Sequence, residues 1–178
     1  MKIRRIVVGL DPAPRSRTVL DAAAAVAEKL EAELLGLFVE NMNLLHFARF
    51  PFAHEVGFPS ATRRPLDVAA MERSLRIAAT EARDMLAAVA GGTALRWSFK
   101  VTRGVLAAEL LAAADEADLV VTGPQLPDDL SRPDVRVVRA EDPRALRTAL
   151  RQEAGGVIVL AGNEALVGEA LRTLLDEG

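Results

Sequence analysis

The fold is decided by three short stretches that end in a glycine turn: VVGLD (Val7–Asp11), VVTGP (Val120–Pro124) and VLAGN (Val159–Asn163). Each begins with aliphatic residues, as is typical of a buried strand in a parallel sheet. Helical stretches rich in Ala and Leu separate the strands, which predicts an α/β fold with helices on both faces of an open parallel sheet. Ligands of such sheets bind outside the carboxyl ends of the strands, so we expect the three turns to form the binding site.

Hydrophobic periodicity, working outward from these strands, predicts the remaining elements. The predicted strands are 3–10, 33–40, 94–102, 117–122 and 156–161, and the predicted helices are 16–31, 66–90, 104–115, 142–153 and a closing helix after Asn163. Asp142 followed by Pro143 is a helix-start signal, and Asn163 can cap the closing helix. The stretch 134–139 (DVRVVR) is a candidate short strand, and the sequence does not show whether it joins the sheet.

Composition limits the classes of protein to which the chain can belong. It has 178 residues, 51% of them hydrophobic by type, and no Cys, which fits one domain (1–178) and excludes a disulfide framework, a thiolate nucleophile or a thiolate metal site. The formal net charge of −3 gives no reason to expect a nucleic-acid or anionic-membrane partner. No apolar run approaches the roughly 18 residues of a membrane span, and the amino terminus lacks a signal-peptide pattern. We therefore expect a cytoplasmic protein.

Several motifs occur in a characteristic order: IVVGLD (Ile6–Asp11) followed by Ser16, AELLGLFVE (Ala32–Glu40), and VTRGVLAAELLAAADEADLVVTG (Val101–Gly123). In this order and spacing the chain resembles the universal stress protein family over Ile3–Gly123. The resemblance implies an adenine-nucleotide α-hydrolase-like sheet of about five strands in the order 3-2-1-4-5, and a homodimer. It also implies that the adenosine-side residues are Asp11, Val39 and Gly123.

The sequence departs from the family pattern in its divergent carboxyl-terminal part, 124–178. Nucleotide-binding members continue with a glycine-rich phosphate loop, but here no glycine occurs between Pro124 and Ala154. Prolines remove backbone N–H donors, and the carboxylates of Asp128, Asp129 and Asp134 would repel a phosphate. We therefore expect no ordinary ATP binding and no cofactor. An alternative is a stress sensor that binds ATP or AMP, with Asp11 on the adenosine and with Arg15, Ser16 and Arg17 at a helix N-terminus holding the phosphate.

The segment 41–65 breaks the periodicity, and we expect it to be an irregular insertion rich in Phe. It contains both histidines, His46 and His54, whose spacing does not favour a metal site. Three roles remain open: a contact surface for a protein partner or a second copy, a lid over a small apolar ligand, or a satellite core packed on the long helix. The residues concerned are Phe47, Phe50, Phe52 and Phe58.

Catalytic motifs are missing from the sequence. It contains no Gly-x-Ser-x-Gly elbow, no P-loop and no Gly-x-Gly-x-x-Gly fingerprint. We therefore expect no enzyme and no metal. The leading hypothesis is a non-catalytic, dimeric regulatory or interaction module. The alternatives are the adenine-nucleotide sensor and the small-ligand binder with the 41–65 segment as its lid.

Overall fold

The computed structural model describes residues 2–11, 16–50, 54–57, 62–65, 67–124, 132–152 and 156–175. Its strands are β1 (Arg5–Gly9), β2 (Glu33–Asn41), β3 (His54–Gly57), β4 (Thr62–Pro65), β5 (Trp97–Gly104), β6 (Leu119–Thr122), β7 (Val135–Arg139) and β8 (Val157–Ala161). Its helices are α1 (Ser16–Lys29), α2 (Met42–Ala48), α3 (Val68–Ala90), α4 (Leu106–Ala114), α5 (Pro143–Arg151) and α6 (Glu164–Arg172). No helix among these residues is long and apolar enough to cross a bilayer.

The main sheet is parallel throughout and has the strand order β5-β2-β1-β6-β8-β7. Its first five strands follow the expected order 3-2-1-4-5, which confirms the predicted fold class. The count of about five strands is one short, because the candidate strand at 134–139 joins the sheet as an outer sixth strand. It pairs with β8 from Val135 opposite Val157 to Arg139 opposite Ala161.

Helices cover both faces of the sheet, as predicted, but unequally. The larger core contains buried residues of α1, α3, α5 and α6 together with Ile6 and Val8 of β1. The smaller core contains Leu110 and Ala114 of α4 together with Val7 of β1. Because side chains alternate along a strand, this division places α1, α3, α5 and α6 on one face and α4 on the other.

Helix α3 contacts the sheet closely at Gly36 of β2. A Cβ atom at that position would lie 2.7 Å from Leu86 Cδ2 and 2.8 Å from Leu10 Cδ1. The absence of a side chain therefore lets Leu86 pack directly against the strand, and Leu86 is fully buried. The glycine fixes how near the long helix approaches the sheet.

The prediction that 41–65 is an irregular insertion is wrong for part of that segment, which forms regular secondary structure. Met42–Ala48 forms a helix, since its Met, Leu and Ala residues are good helix formers and Asn41 Oδ1 accepts a hydrogen bond from Asn43 N at 3.0 Å at its start. The strands β3 and β4 pair antiparallel, with Gly57 opposite Thr62. The residues between these elements, 51–53 and 58–61, lie outside the described part of the chain.

Local side chains position the later elements. Asp142 and Asn163 accept hydrogen bonds from the backbone N–H groups two residues on, each at 2.9 Å, which confirms both predicted helix caps. Arg132 binds Asp115 at 2.6 Å and Asp134 at 2.5 Å, so it ties the start of β7 to the end of α4. The guanidinium of Arg132 lowers the pKa of the Asp134 carboxyl below its usual value.

Asp118, which directly precedes β6, joins the amino ends of neighbouring strands. Its Oδ2 atom accepts hydrogen bonds from the backbone N–H groups of Arg4 at 2.7 Å and Arg5 at 3.1 Å. The Arg5 guanidinium in turn binds Glu33 at 2.9 Å, at the start of β2. Three adjacent strands are thus fixed together at their amino ends, opposite the edge at which a ligand would bind.

Candidate functional site

The carboxyl ends of β1, β6 and β8 meet in one cleft, because these three parallel strands are neighbours at the centre of the sheet. The cleft is lined by Gly9 at the end of β1 and Asp11 just after it, by Thr122 at the end of β6 and Gly123 just after it, and by Gly162 and Glu164 after β8. Ser16 and Val19 of α1 complete it. The structure thus brings the three glycine turns together. Their role as a ligand-binding site stays a prediction.

Two of the predicted nucleotide-binding residues are joined within this cleft. The Ser16 hydroxyl donates a hydrogen bond to Asp11 Oδ1 at 2.5 Å. Ser16 is buried at the first position of α1, whereas Asp11 is exposed. The hydrogen bond joins the turn after β1 to the helix, so the Ser16 hydroxyl proton is already directed at a carboxylate.

The described lining of the cleft is acidic and the cleft is small. The charged groups among its described lining residues are Asp11 and Glu164, both carboxylates, and Ser16 and Thr122 contribute hydroxyls. Two carboxylates at close range repel an anion. The cleft has a volume of about 40 Å³. That is far below the roughly 300–1,000 Å³ of small-molecule sites.

Two described arginines near the carboxyl ends of the strands, Arg17 and Arg103, pair with carboxylates outside the cleft. Arg17 is exposed and its Nε lies 3.9 Å from Asp21 Oδ2, one turn along α1. At the carboxyl end of β5, Arg103 Nε binds Glu40 Oε2 at 2.8 Å, and Glu40 is only 8% exposed. Neither arginine lines the cleft. The described residues therefore do not supply the positive charge that a nucleotide phosphate requires.

The remaining predicted residues are dispersed. Val39 is half-buried in β2 and does not line the cleft. Gly123 does line it, but a Cβ there would meet nothing within 4 Å, so no close backbone approach requires glycine. Phe50 follows α2 and is exposed. Arg15, Phe52 and Phe58 lie outside the described residues, and for Phe47 only its place in α2 is described.

Sequence reasoning did not identify Glu164 or Val19 as lining residues. The signal for Glu164 was present, because it is the first helical residue after the cap Asn163 and so must lie beside the turn that ends β8. Gly162 has a steric reason: a Cβ there would lie 2.8 Å from the Ala140 Cβ, where the turns after β7 and β8 approach each other. That approach became visible only once β7 was placed in the sheet.

Metal ligands are not clustered in the part of the chain that the structure describes. It contains no group of three or more His, Asp or Glu residues that could hold an ion. His46 and His54 are both exposed, in α2 and β3 respectively.

Solved structures share this architecture. The universal stress protein UspA from Lactobacillus plantarum superposes with a TM-score of 0.51 at 17% identity, over 90% of this chain and 98% of that one. The chain has the universal stress protein fold. The hypothetical protein MJ0577 superposes with a TM-score of 0.52 at 9% identity, over 92% of this chain and 98% of that one. No protein-family model matches the sequence, and no curated protein matches it.

The universal stress protein fold accounts for the geometry but not for the chemistry of the cleft. Identities of 9% and 17% show a common fold alone. What this chain binds must therefore be argued from its own residues, and these are the two carboxylates, the two hydroxyls and the small volume described above.

Proposed function

We propose that this protein is a non-catalytic, homodimeric regulatory or interaction module with the universal stress protein fold, and that it does not bind ATP in the manner of a phosphate-loop protein. The observation that carries the proposal is the cleft at the carboxyl ends of β1, β6 and β8, which presents Asp11 and Glu164 and has a volume of about 40 Å³. A site of that charge and size is matched neither to an adenine ring nor to a chain of phosphates.

The sequence beyond the cleft supports the same proposal. The segment after Gly123 carries prolines and aspartates in place of glycines, so it offers fewer backbone N–H groups to a phosphate. Catalysis has no support either, because the Ser16 hydroxyl hydrogen-bonds a carboxylate and has no histidine or lysine base among the cleft residues described. A role in binding other proteins requires only an accessible surface, and the outer strands of the sheet provide one.

The proposal is tested by thermal unfolding with ATP, ADP and AMP, each with and without Mg²⁺. A ligand at 100 times its dissociation constant stabilises the folded state by about 2.7 kcal/mol, so micromolar binding would raise Tm measurably at millimolar nucleotide. We expect no shift. Sedimentation velocity over a range of concentrations tests the dimer in the same samples.

A shift with any nucleotide would favour the adenine-nucleotide sensor instead, and two variants would then locate the contact. Asp11→Ala removes a carboxylate of the cleft, whereas Asp21→Ala removes an exposed carboxylate of α1 that pairs with Arg17. Loss of the shift in the first variant alone would place the nucleotide at Asp11 and refute the proposal.

A further inference from the structure

A larger cavity lies at the opposite end of the sheet from the cleft, beside the residues that lead into β1. Its volume is about 660 Å³, whereas the volume of the cleft is about 40 Å³. Small-molecule sites span roughly 300–1,000 Å³, so this cavity has the room for a ligand that the cleft lacks. We call it the amino-end cavity.

The floor of the amino-end cavity is apolar and continuous with the larger core. Its apolar lining residues come from separate parts of the chain: Ile3 before β1, Leu30 after α1, Leu150 in α5 and Leu174 after α6. Ile3 is buried, and the three leucines are half-buried and pack against the core. An apolar group that enters the cavity would remove the exposed parts of these leucines from water, which is favourable.

Two cations fix the wall that the end of α6 contributes. Lys29 Nζ donates hydrogen bonds to the carbonyl oxygens of Leu175 at 2.7 Å and Leu174 at 3.4 Å. A guanidinium N–H of Arg147 donates to the carbonyl oxygen of Thr173. Lysine and arginine stabilise the last carbonyls of a helix in this way, so Leu174 is held in place before any ligand arrives.

Glu31 lines the same cavity and has an unusual backbone conformation, with φ at 54°. Ala32 N donates to Ala27 O at 2.8 Å and Glu31 N to Glu28 O at 3.2 Å, which is the hydrogen-bond pattern of a Schellman motif at the end of α1. Glycine is the usual residue at this position, because a side chain is strained in the left-handed region. A glutamate that is kept there despite the strain indicates a role for its side chain.

The rim of the amino-end cavity carries both signs of charge. Lys2 and Glu31 are exposed lining residues, and neither side chain has a hydrogen-bond or ion-pair partner within the part of the chain that the structure describes. Glu31 would repel a ligand whose only charge is a carboxylate, and Lys2 would repel one whose only charge is an ammonium. A ligand that carries both groups next to an apolar body matches the whole lining.

We propose that the amino-end cavity binds a free α-amino acid with an apolar side chain, such as leucine or phenylalanine. The carboxylate of the ligand pairs with the Lys2 ammonium, and the ammonium of the ligand pairs with the Glu31 carboxylate. The side chain of the ligand packs on the leucines of the floor. This site goes beyond the proposed function and is separate from the cleft, so nucleotide binding at the cleft would leave it unaffected.

Titration of the isotope-labelled full-length protein, followed by the NMR shifts of its backbone amides, tests the site with four probes. These are L-leucine, isoamylamine, which lacks its carboxylate, isocaproic acid, which lacks its ammonium, and L-serine, which lacks an apolar side chain. We expect L-leucine to shift the amides around Ile3, Leu30 and Leu174. The amine and the acid should each bind about threefold to tenfold more weakly, because each lacks one charge pair, and L-serine should cause no shifts.

Variants of the two rim residues assign the charge pairs. Glu31→Gln should lower the affinity for L-leucine to that for isocaproic acid, and Lys2→Gln should lower it to that for isoamylamine. The matched controls are Glu28→Gln and Lys100→Gln, which remove exposed charges outside the cavity and should bind L-leucine like the wild type. The amide spectrum of each variant shows directly whether it is folded.

Four results would overturn the proposal. The first is the absence of any shift with L-leucine up to about 10 mM, which corresponds to binding too weak to be specific. The second is equal affinity for L-leucine and its two analogues. The third is unchanged L-leucine affinity in either rim variant, and the fourth is a set of shifts centred on the cleft instead of the amino-end cavity.

Discussion

Replacing Leu86 by Ala tests how the long helix α3 is anchored. The buried residues of α3 are Ala79, Ala82, Leu86 and Ala90, so Leu86 is the only large side chain among them. Leu86→Ala removes three carbons, worth about 2.4 kcal/mol at ~0.8 kcal/mol each. Gly36 has no side chain to fill the space, so a cavity penalty should raise the total to about 3–4 kcal/mol.

The measurement is urea-induced unfolding followed by circular dichroism, at one fixed protein concentration for all variants. The matched control is Ile77→Ala, which shortens an exposed side chain of the same helix and should cost less than about 0.5 kcal/mol. A cost below about 1 kcal/mol for Leu86→Ala, or equal costs for the two variants, would refute the packing of α3 on Gly36.

Two further predictions concern the charged contacts. Asp118→Ala should cost about 0.5–1.5 kcal/mol in urea unfolding, because it removes the acceptor of two backbone N–H groups at the start of β1 that water reaches only in part, whereas Asp84→Ala on the exposed side of α3 should be near neutral. Arg132 lowers the pKa of Asp134 in the folded state, so the stability that this carboxylate contributes is present above its unfolded pKa and is lost as the pH falls through the folded one. The free energy of unfolding of the wild type should therefore fall more between pH 7 and pH 3 than that of Asp134→Asn. Equal pH dependence in the two proteins would contradict this prediction.

Elements with strong local signals were predictable from the sequence. The caps Asp142 and Asn163 were predicted correctly because the amide or carboxylate oxygen of a cap accepts a hydrogen bond from an N–H group only two residues away. The place of β7 at the sheet edge depends on pairing with β8 some twenty residues later, which no local pattern reveals. The helix and hairpin within 41–65 were missed because seven-residue and four-residue elements are too short to show a period.

The candidate site was predictable in position but not in chemistry. Three strands ending in glycine sufficed to locate the cleft, because parallel strands end at one edge of the sheet. The sequence did not reveal that Glu164 faces the same space as Asp11, since the two carboxylates lie more than 150 residues apart and come together only through the strand order. Nor did it show that Arg17 and Arg103 pair with neighbouring carboxylates.

Isothermal titration calorimetry of the nucleotide-stripped protein with ATP, ADP and AMP, with and without Mg²⁺, tests the central claim most directly. A cleft of about 40 Å³ with two carboxylates predicts no binding heat up to millimolar nucleotide. Binding at micromolar strength would contradict the account, and would require the protein to supply a phosphate site that the described residues do not form.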